Sequence, residues 1–412
     1  MRDSIVHQII QPDARGALMR RPTLLIGAAL LLALAAPVGA AGPQPSLQPM
    51  SAEDTAVIDA GIAAIMDAHP EVPAIYIGVW DPARGVYQQA YGLADVAAKR
   101  PASLDDHFRI GSISKTFMAT VILQLIDEGR LKLSDTVADV DPDLAARHPN
   151  LAGVTIEQLL GMTSGIPDYM NVPDAAVASL VEAPETTVWT ADQLIGFGAD
   201  GEVKAPGTGG YSTTNFIALQ VIAETLTGRS IQDLIRERIT EPLGMSGTAL
   251  PPNEDTTLPE PVAHGYMSPA CVDELVRDGA KAVAADTDTT EWNASYGQSG
   301  GGMHSTVADL GTWAALMSGS STLSDGLAEA RLQFHDAGIT PMLYGLGLIR
   351  FGNQIGHEGE AIGWEGWVGQ DPETGLSAVV FTTTCSDSAV VFKSLGVIDP
   401  GFKPTADALF PD

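Results

Sequence analysis

Basic residues are scarce in this 412-residue chain: 22 Lys plus Arg stand against 51 Asp plus Glu, for a formal net charge of −29. A surface of that sign repels phosphate. It excludes a nucleic-acid grip by counterion release and argues against attraction to an anionic membrane. Cysteine is nearly absent, and Cys271 and Cys385 lie too far apart for the close pairing of a Cys-based zinc site. An apolar run at residues 24–36 holds thirteen residues, fewer than the roughly 20 a bilayer helix needs. What remains, 45% hydrophobic and 18% charged residues, describes a globular protein rather than an acidic tail or a coiled coil. Only seven lysines occur, so a motif built on one stands out.

Arg20 and Arg21 precede the apolar run, and Pro37-Val38-Gly39-Ala40 follows it with the small residues of a signal-peptidase site. The expectation is a signal peptide over residues 1–40, with Met19 as the true start, and a periplasmic or extracellular mature protein without a stable membrane anchor. Cleavage after Ala40 removes four arginines and two aspartates and takes the net charge from −29 to −31. In an oxidising compartment the two cysteines pair across a long loop; two buried free thiols are the equal alternative. His357-Glu358-Gly359-Glu360-Ala361 starts like a zinc-protease motif but lacks the second histidine, so neither metal nor cofactor is expected.

The segments Ala74–Trp80 and Val86–Tyr91 read as a hairpin, and residues 344–350, 354–357, 364–370 and 376–383 as further strands before a last helix near Ser388–Leu395. Between them the pattern is mainly helical as far as Leu250, and residues 251–291 read as a loop-dominated excursion. The fold class that follows is α/β of the α+β type. An antiparallel sheet of about five or more strands, built from both chain ends (52–111 and 296–412), flanks a mainly helical lobe (112–295), within one domain over 41–412.

Candidate chemistry begins at Ser112-Ile113-Ser114-Lys115. Apolar residues at helical spacing (Ile113, Phe117, Met118, Val121, Ile122, Leu125) make Ser112 the opening of a buried helix and set Lys115 one turn later, with its amine aimed at the hydroxyl. Burial pushes a lysine towards its neutral, proton-accepting form. A plain N-cap explains the serine equally well, but not a scarce lysine among apolar neighbours.

The ordered blocks FRIGSISKTFMATVILQLIDEGRLKLSD, VTIEQLLGMTSGIPDY, PGTGGYSTTNFIALQVIAETLTGRS, SGGGMHSTVADLGTWAALMSG and GHEGEAIGW resemble the serine β-lactamase-like family of class C β-lactamases and secreted D,D-carboxypeptidases, closest to the latter. The resemblance implies the β-lactamase/DD-peptidase-like fold and an acyl-enzyme on Ser112, with Lys115 as base partner and Tyr211 as proton shuttle. His357 and Gly359 stand in the third motif, and the oxyanion hole is formed by the backbone N–H groups of Ser112 and Glu360. Small peptides, amides or esters, and β-lactams, are the implied partners. D-Ala-D-Ala carboxypeptidase activity is the default, with D-aminopeptidase, amidase, esterase or β-lactamase as alternatives and a catalytically silent penicillin- or cell-wall-binding protein as the reading from another class.

Two departures touch the substrate. Thr213 replaces the asparagine of the second motif and offers fewer donors to an acyl amide, with Asn215 as a partial substitute. Glu360 replaces a carboxylate-binding threonine; turned inward it repels a free terminal carboxylate, with Arg350 as its partner or as the carboxylate's, and turned outward it supplies only its N–H. A rival nucleophile, Ser299 in Gly297-Gln298-Ser299-Gly300-Gly301, lacks the buried strand an elbow needs and reads as part of a flexible glycine-rich loop.

Overall fold

A computed structural model of the chain describes residues 48–171, 183–199, 201–255, 257–277, 283–385 and 388–411. They fall in one compact unit, Pro37–Asp412. The expected signal peptide lies outside the described residues; among these, no helix is long and apolar enough to cross a membrane, and no cluster of three His, Cys, Asp or Glu is placed to hold a metal.

Ten strands are described: β1 (Ala74–Asp81), β2 (Gly85–Asp95), β3 (Arg100–Pro101), β4 (Phe108–Arg109), β5 (His304–Ser305), β6 (Leu343–Tyr344), β7 (Ile349–Phe351), β8 (Gln354–Ala361), β9 (Trp364–Gln370) and β10 (Ser377–Thr382). Eight form one antiparallel sheet in the order β3-β2-β1-β10-β9-β8-β7-β6, while β4 and β5 make a separate two-stranded ribbon. β1 from the N-terminal part pairs directly with β10 from the C-terminal part, so the two chain ends share the centre of the sheet, as the strand pattern implies.

Helices that matter here are α1 (Ala52–Ala68), α2 (Ser114–Asp127), α3 (Thr213–Thr227), α4 (Gln298–Gly301), α5 (Val307–Leu316) and α6 (Ser388–Ile398). α6 packs on β9 and β10 together with α1, and α5 packs on β1, β9 and β10. Covered on both faces, β1 and β10 bury almost every residue, which explains their continuous Ile, Val and Ala runs in place of alternation. α2 is buried from Ser114 to Leu125. Phe117 stacks on Trp313 of α5 at 4.3 Å, and the buried Arg331 guanidinium donates to Thr120 Oγ1 and to the Met317 and Thr116 carbonyls. A helix enclosed in this way holds its first turn in one geometry.

The sequence pattern missed two boundaries. β8 continues to Ala361 and carries the whole His-x-Gly segment, and residues 344–350 are two short strands separated by a bend. The excursion 251–291 contains a helix, Pro269–Arg277, and is tied to the sheet by a Cys271–Cys385 disulfide, which settles the cysteine alternatives. It lies along the β8–β9 hairpin: Trp364 Nε1 donates to the Ala263 carbonyl and Thr289 Oγ1 to that of Ile362.

Candidate active site

Ser112 sits, partly exposed, in a 3-10 turn (Gly111–Ile113) that runs into α2. Ser114 Oγ fixes the turn by donating to the Gly111 carbonyl at 2.7 Å and accepting the Met303 N–H at 3.2 Å. Gly111 has φ +50°, and a Cβ there would lie 2.2 Å from the Glu360 carbonyl oxygen. A Cβ on Gly359 would likewise meet the Ile110 carbonyl oxygen at 2.1 Å. Both glycines let the serine turn lie flat on the backbone of β8, which brings Ser112 beside the Glu360 backbone. Gly111→Ala is expected to part these surfaces and slow acylation by an activated ester about 10²-fold in stopped flow; a wild-type rate would contradict this packing role.

Lys115 is fully buried, with Nζ 2.8 Å from Ser112 Oγ and donating to the Gly300 carbonyl at 2.7 Å. Burial drives its pKa from the ordinary lysine range down to about 7, against the opposing pull of Asp168 and Glu358. Its amine therefore keeps a lone pair for the serine proton in a large share of molecules at neutral pH. Nζ also lies 5.0 Å from the centroid of the Tyr211 ring. The Tyr211 phenol is hydrogen-bonded with Ser112, and burial, then Tyr344 and the carboxylates of Glu358 and Asp168, holds it well above its ordinary range. It stays protonated and can relay a proton only by taking one as it gives one.

His357 is completely buried behind this pair. Burial and then Lys115 lower its pKa to about 3, so the ring is neutral. Its Nδ1 lies 2.5 Å from the Glu358 carbonyl oxygen and must be the donor there; Nε2 then accepts the Tyr344 hydroxyl proton at 3.0 Å. The rings of Tyr211, Tyr344 and His357 meet at 5.7–6.3 Å. His357 and Tyr344 thus form an uncharged chain beside Tyr211, and Tyr344 is a member that the sequence motifs did not indicate.

Other expectations need correction. Thr213 is committed elsewhere: its N–H and its hydroxyl both donate to Asp168 Oδ2, at 2.9 and 3.0 Å, which caps the N-terminus of α3 with a carboxylate. Asn215 gives no substitute, because its Oδ1 accepts the Ser164 hydroxyl at 2.7 Å and its Nδ2 points at Met162 Sδ. Arg350 is exposed and pairs with Ile355, five residues from Glu360 along β8, or about 16 Å at ~3.3 Å per residue. The expected Arg350–Glu360 pair therefore does not form. Glu360 itself is exposed, lies opposite Glu365 of β9, and meets the serine turn through its backbone. Ser299 is fully buried in α4 and donates to the Phe216 carbonyl at 3.1 Å. The glycine run is a packed helical turn rather than a flexible loop, and its Gly300 carbonyl anchors Lys115.

Missing from the sequence reading were two carboxylates. Asp168 is buried and well satisfied, accepting also the Met170 N–H at 3.0 Å. Glu358 is partly buried, one residue from His357, and burial raises its pKa against the pull of Lys115. The two-residue period of β8, with 357, 359 and 361 buried and 358 and 360 progressively open, is the signal that could have found it.

Comparison with known proteins identifies the family. The Beta-lactamase family model matches residues 62–399. Penicillin-binding protein 4* of Bacillus subtilis (strain 168) is 34% identical over 163 residues, 40% of this chain and 35% of that protein. A D-aminopeptidase of Brucella anthropi is 26% identical over 364 residues, 84% of this chain and 63% of that protein. The chain thus spans only part of the length of these curated relatives. The crystal structure of a D-stereospecific amidohydrolase from Streptomyces sp. superposes with a TM-score of 0.71 at 26% identity, over 83% of this chain and 98% of that one. The protein belongs to the Beta-lactamase family of serine hydrolases.

Proposed function

We propose that this is an exported serine hydrolase that opens amide and peptide bonds through an acyl-enzyme on Ser112, with a D-configured acyl part. The observation that carries the reading is the buried Lys115 amine, 2.8 Å from Ser112 Oγ and with its pKa lowered to about 7. In the first step neutral Lys115 takes the proton of Ser112 as Oγ bonds to the substrate carbonyl carbon. The oxyanion is met by the N–H groups of Ser112 and Glu360. Tyr211 passes its phenolic proton to the departing nitrogen and is refilled from Lys115, the C–N bond breaks, and the amine leaves. Water then enters, gives its proton back along the same relay, and releases the acid with Ser112 restored.

The neutral His357–Tyr344 pair keeps the relay free of a competing cation and fixes the Tyr211 ring. The disulfide supports export into an oxidising compartment. D-configured amides are favoured over other acyl donors by the likeness to proteins named D-aminopeptidase and D-stereospecific amidohydrolase. Esterase and β-lactamase action would share the same acylation and differ in what departs. The test is turnover of the p-nitroanilides of D-alanine and L-alanine beside a p-nitrophenyl ester. Cleavage of the D-anilide above the L-anilide by at least about tenfold is expected, a difference of ~1.4 kcal/mol in the barrier. Failure to turn over either anilide, the ester or a β-lactam would leave a silent binding protein.

A further inference from the structure

The ladder between β7 and β8 ends at Ile349 and Gly356, so from His357 onward β8 has β9 on one edge and, among the described residues, no strand on the other. That open edge adjoins the turn carrying Ser112 and is where an extended substrate can lie. Glu358 projects from this stretch. Among the described residues its carboxylate has no hydrogen-bond or ion-pair partner, in contrast to Asp168, which accepts three hydrogen bonds. A partly buried carboxylate without a partner is unfavourable for folding alone and marks a place where a ligand group completes the pairing.

Which half of the substrate it meets follows from its neighbours. Glu358 acts electrostatically on Lys115, Tyr211 and Tyr344. Tyr211 is the group that must touch the departing nitrogen. Glu358 follows directly on His357, whose ring lies 6.3 Å from that of Tyr211 and whose Nδ1 donates to the Glu358 carbonyl, so this stretch of β8 borders the leaving half of the substrate rather than the acyl half. Lys115, the one cation that acts on its titration, is buried and already engaged with Ser112 and Gly300, and Arg350 lies far along the ladder.

We propose that Glu358 selects the leaving group: it admits neutral and cationic leaving groups and rejects one that ends in a free carboxylate. The inference rests on the acyl-enzyme reading of Ser112 and adds to it which bond of a peptide is open to attack. A terminal D-alanine with a free acid is a poor departing half, whereas the same residue closed as an amide, or extended by an amine, is a good one.

Three substrates with one acyl half decide it: N-acetyl-D-alanyl-D-alanine, its C-terminal amide and its C-terminal aminoethyl amide. Each is measured as kcat/KM with wild type and with Glu358→Gln, beside the acylation burst with a p-nitrophenyl ester that reports a competent Ser112. Wild type is expected to prefer the amide over the free acid by about 50–100-fold, the size of one charge repulsion at ~6–7 Å in a dielectric near 20. The aminoethyl amide should be at least as good as the amide, and Glu358→Gln should close most of the gap, chiefly in KM. A burst with equal cleavage of acid and amide by wild type overturns the role of Glu358 and leaves the acyl-enzyme intact. An unchanged gap in a burst-competent Glu358→Gln does the same. No burst on Ser112 in wild type removes both.

Discussion

Ser112→Ala is expected to lower kcat/KM towards an activated ester or a D-amide by about 10⁴-fold or more, because among the described residues Ser112 carries the one hydroxyl bonded to Lys115 Nζ. Ser299→Ala should leave acylation in place, since Ser299 is enclosed in α4 and bonded to Phe216. Wild-type activity carries a further signature in its pH dependence. The proposed base is the neutral form of Lys115, whose pKa burial lowers to about 7. Below pH 7 the ammonium dominates and kcat/KM falls about tenfold per unit; above it the amine dominates and the rate levels off. His357, neutral down to about pH 3, adds no inflection near neutrality. Measured kcat/KM between pH 5 and 9 checks this. A flat profile, or one that rises towards acid, would contradict a lysine base.

Removing the disulfide gives the second large effect. Cys271 and Cys385 are 114 residues apart, and closing a loop of that length restricts the unfolded chain by about 4–5 kcal/mol in the chain-entropy model. For a protein of this size that corresponds to a drop in Tm of about 6 °C in Cys271→Ser/Cys385→Ser. The loss should be accompanied by a local effect, because the tethered excursion is bonded to the segment that follows β10: Tyr266 N–H donates to the Thr383 carbonyl and Ser268 Oγ to that of Cys385. Hydrogen exchange in residues 263–273 should therefore rise more than in α2. A scanning calorimeter that finds the same Tm in wild type and in the double variant would show that the bond adds nothing to the folded protein.

How much of this was legible in the sequence depended on whether local pattern or tertiary pairing decided the outcome. The central strands β1 and β10 announce themselves as continuous apolar runs because both faces are covered. Lys115 stood out because the chain has so few lysines and this one falls among apolar residues. What the sequence could not deliver were contacts made across the fold. Thr213 stands where a substrate-facing amide is usual, yet it is bonded to Asp168, 45 residues upstream, and nothing local in Tyr211-Ser212-Thr213 signals that partner. Tyr344 reaches His357 only because the bend between β6 and β7 folds it back. Glu360 stands at the motif position, whereas the more enclosed carboxylate of β8 is Glu358. The two share one face of β8, and only the closer packing around position 358 than around 360, a product of the whole fold, separates them.

The proposed mechanism turns on one covalent bond. Incubating the protein with a fluorescent penicillin at pH 8, digesting it and sequencing the labelled peptide by mass spectrometry should place the adduct on Ser112, with the label absent from Ser112→Ala and retained in Ser299→Ala. An adduct on any other residue, or no adduct from either the penicillin or an activated ester, would contradict it.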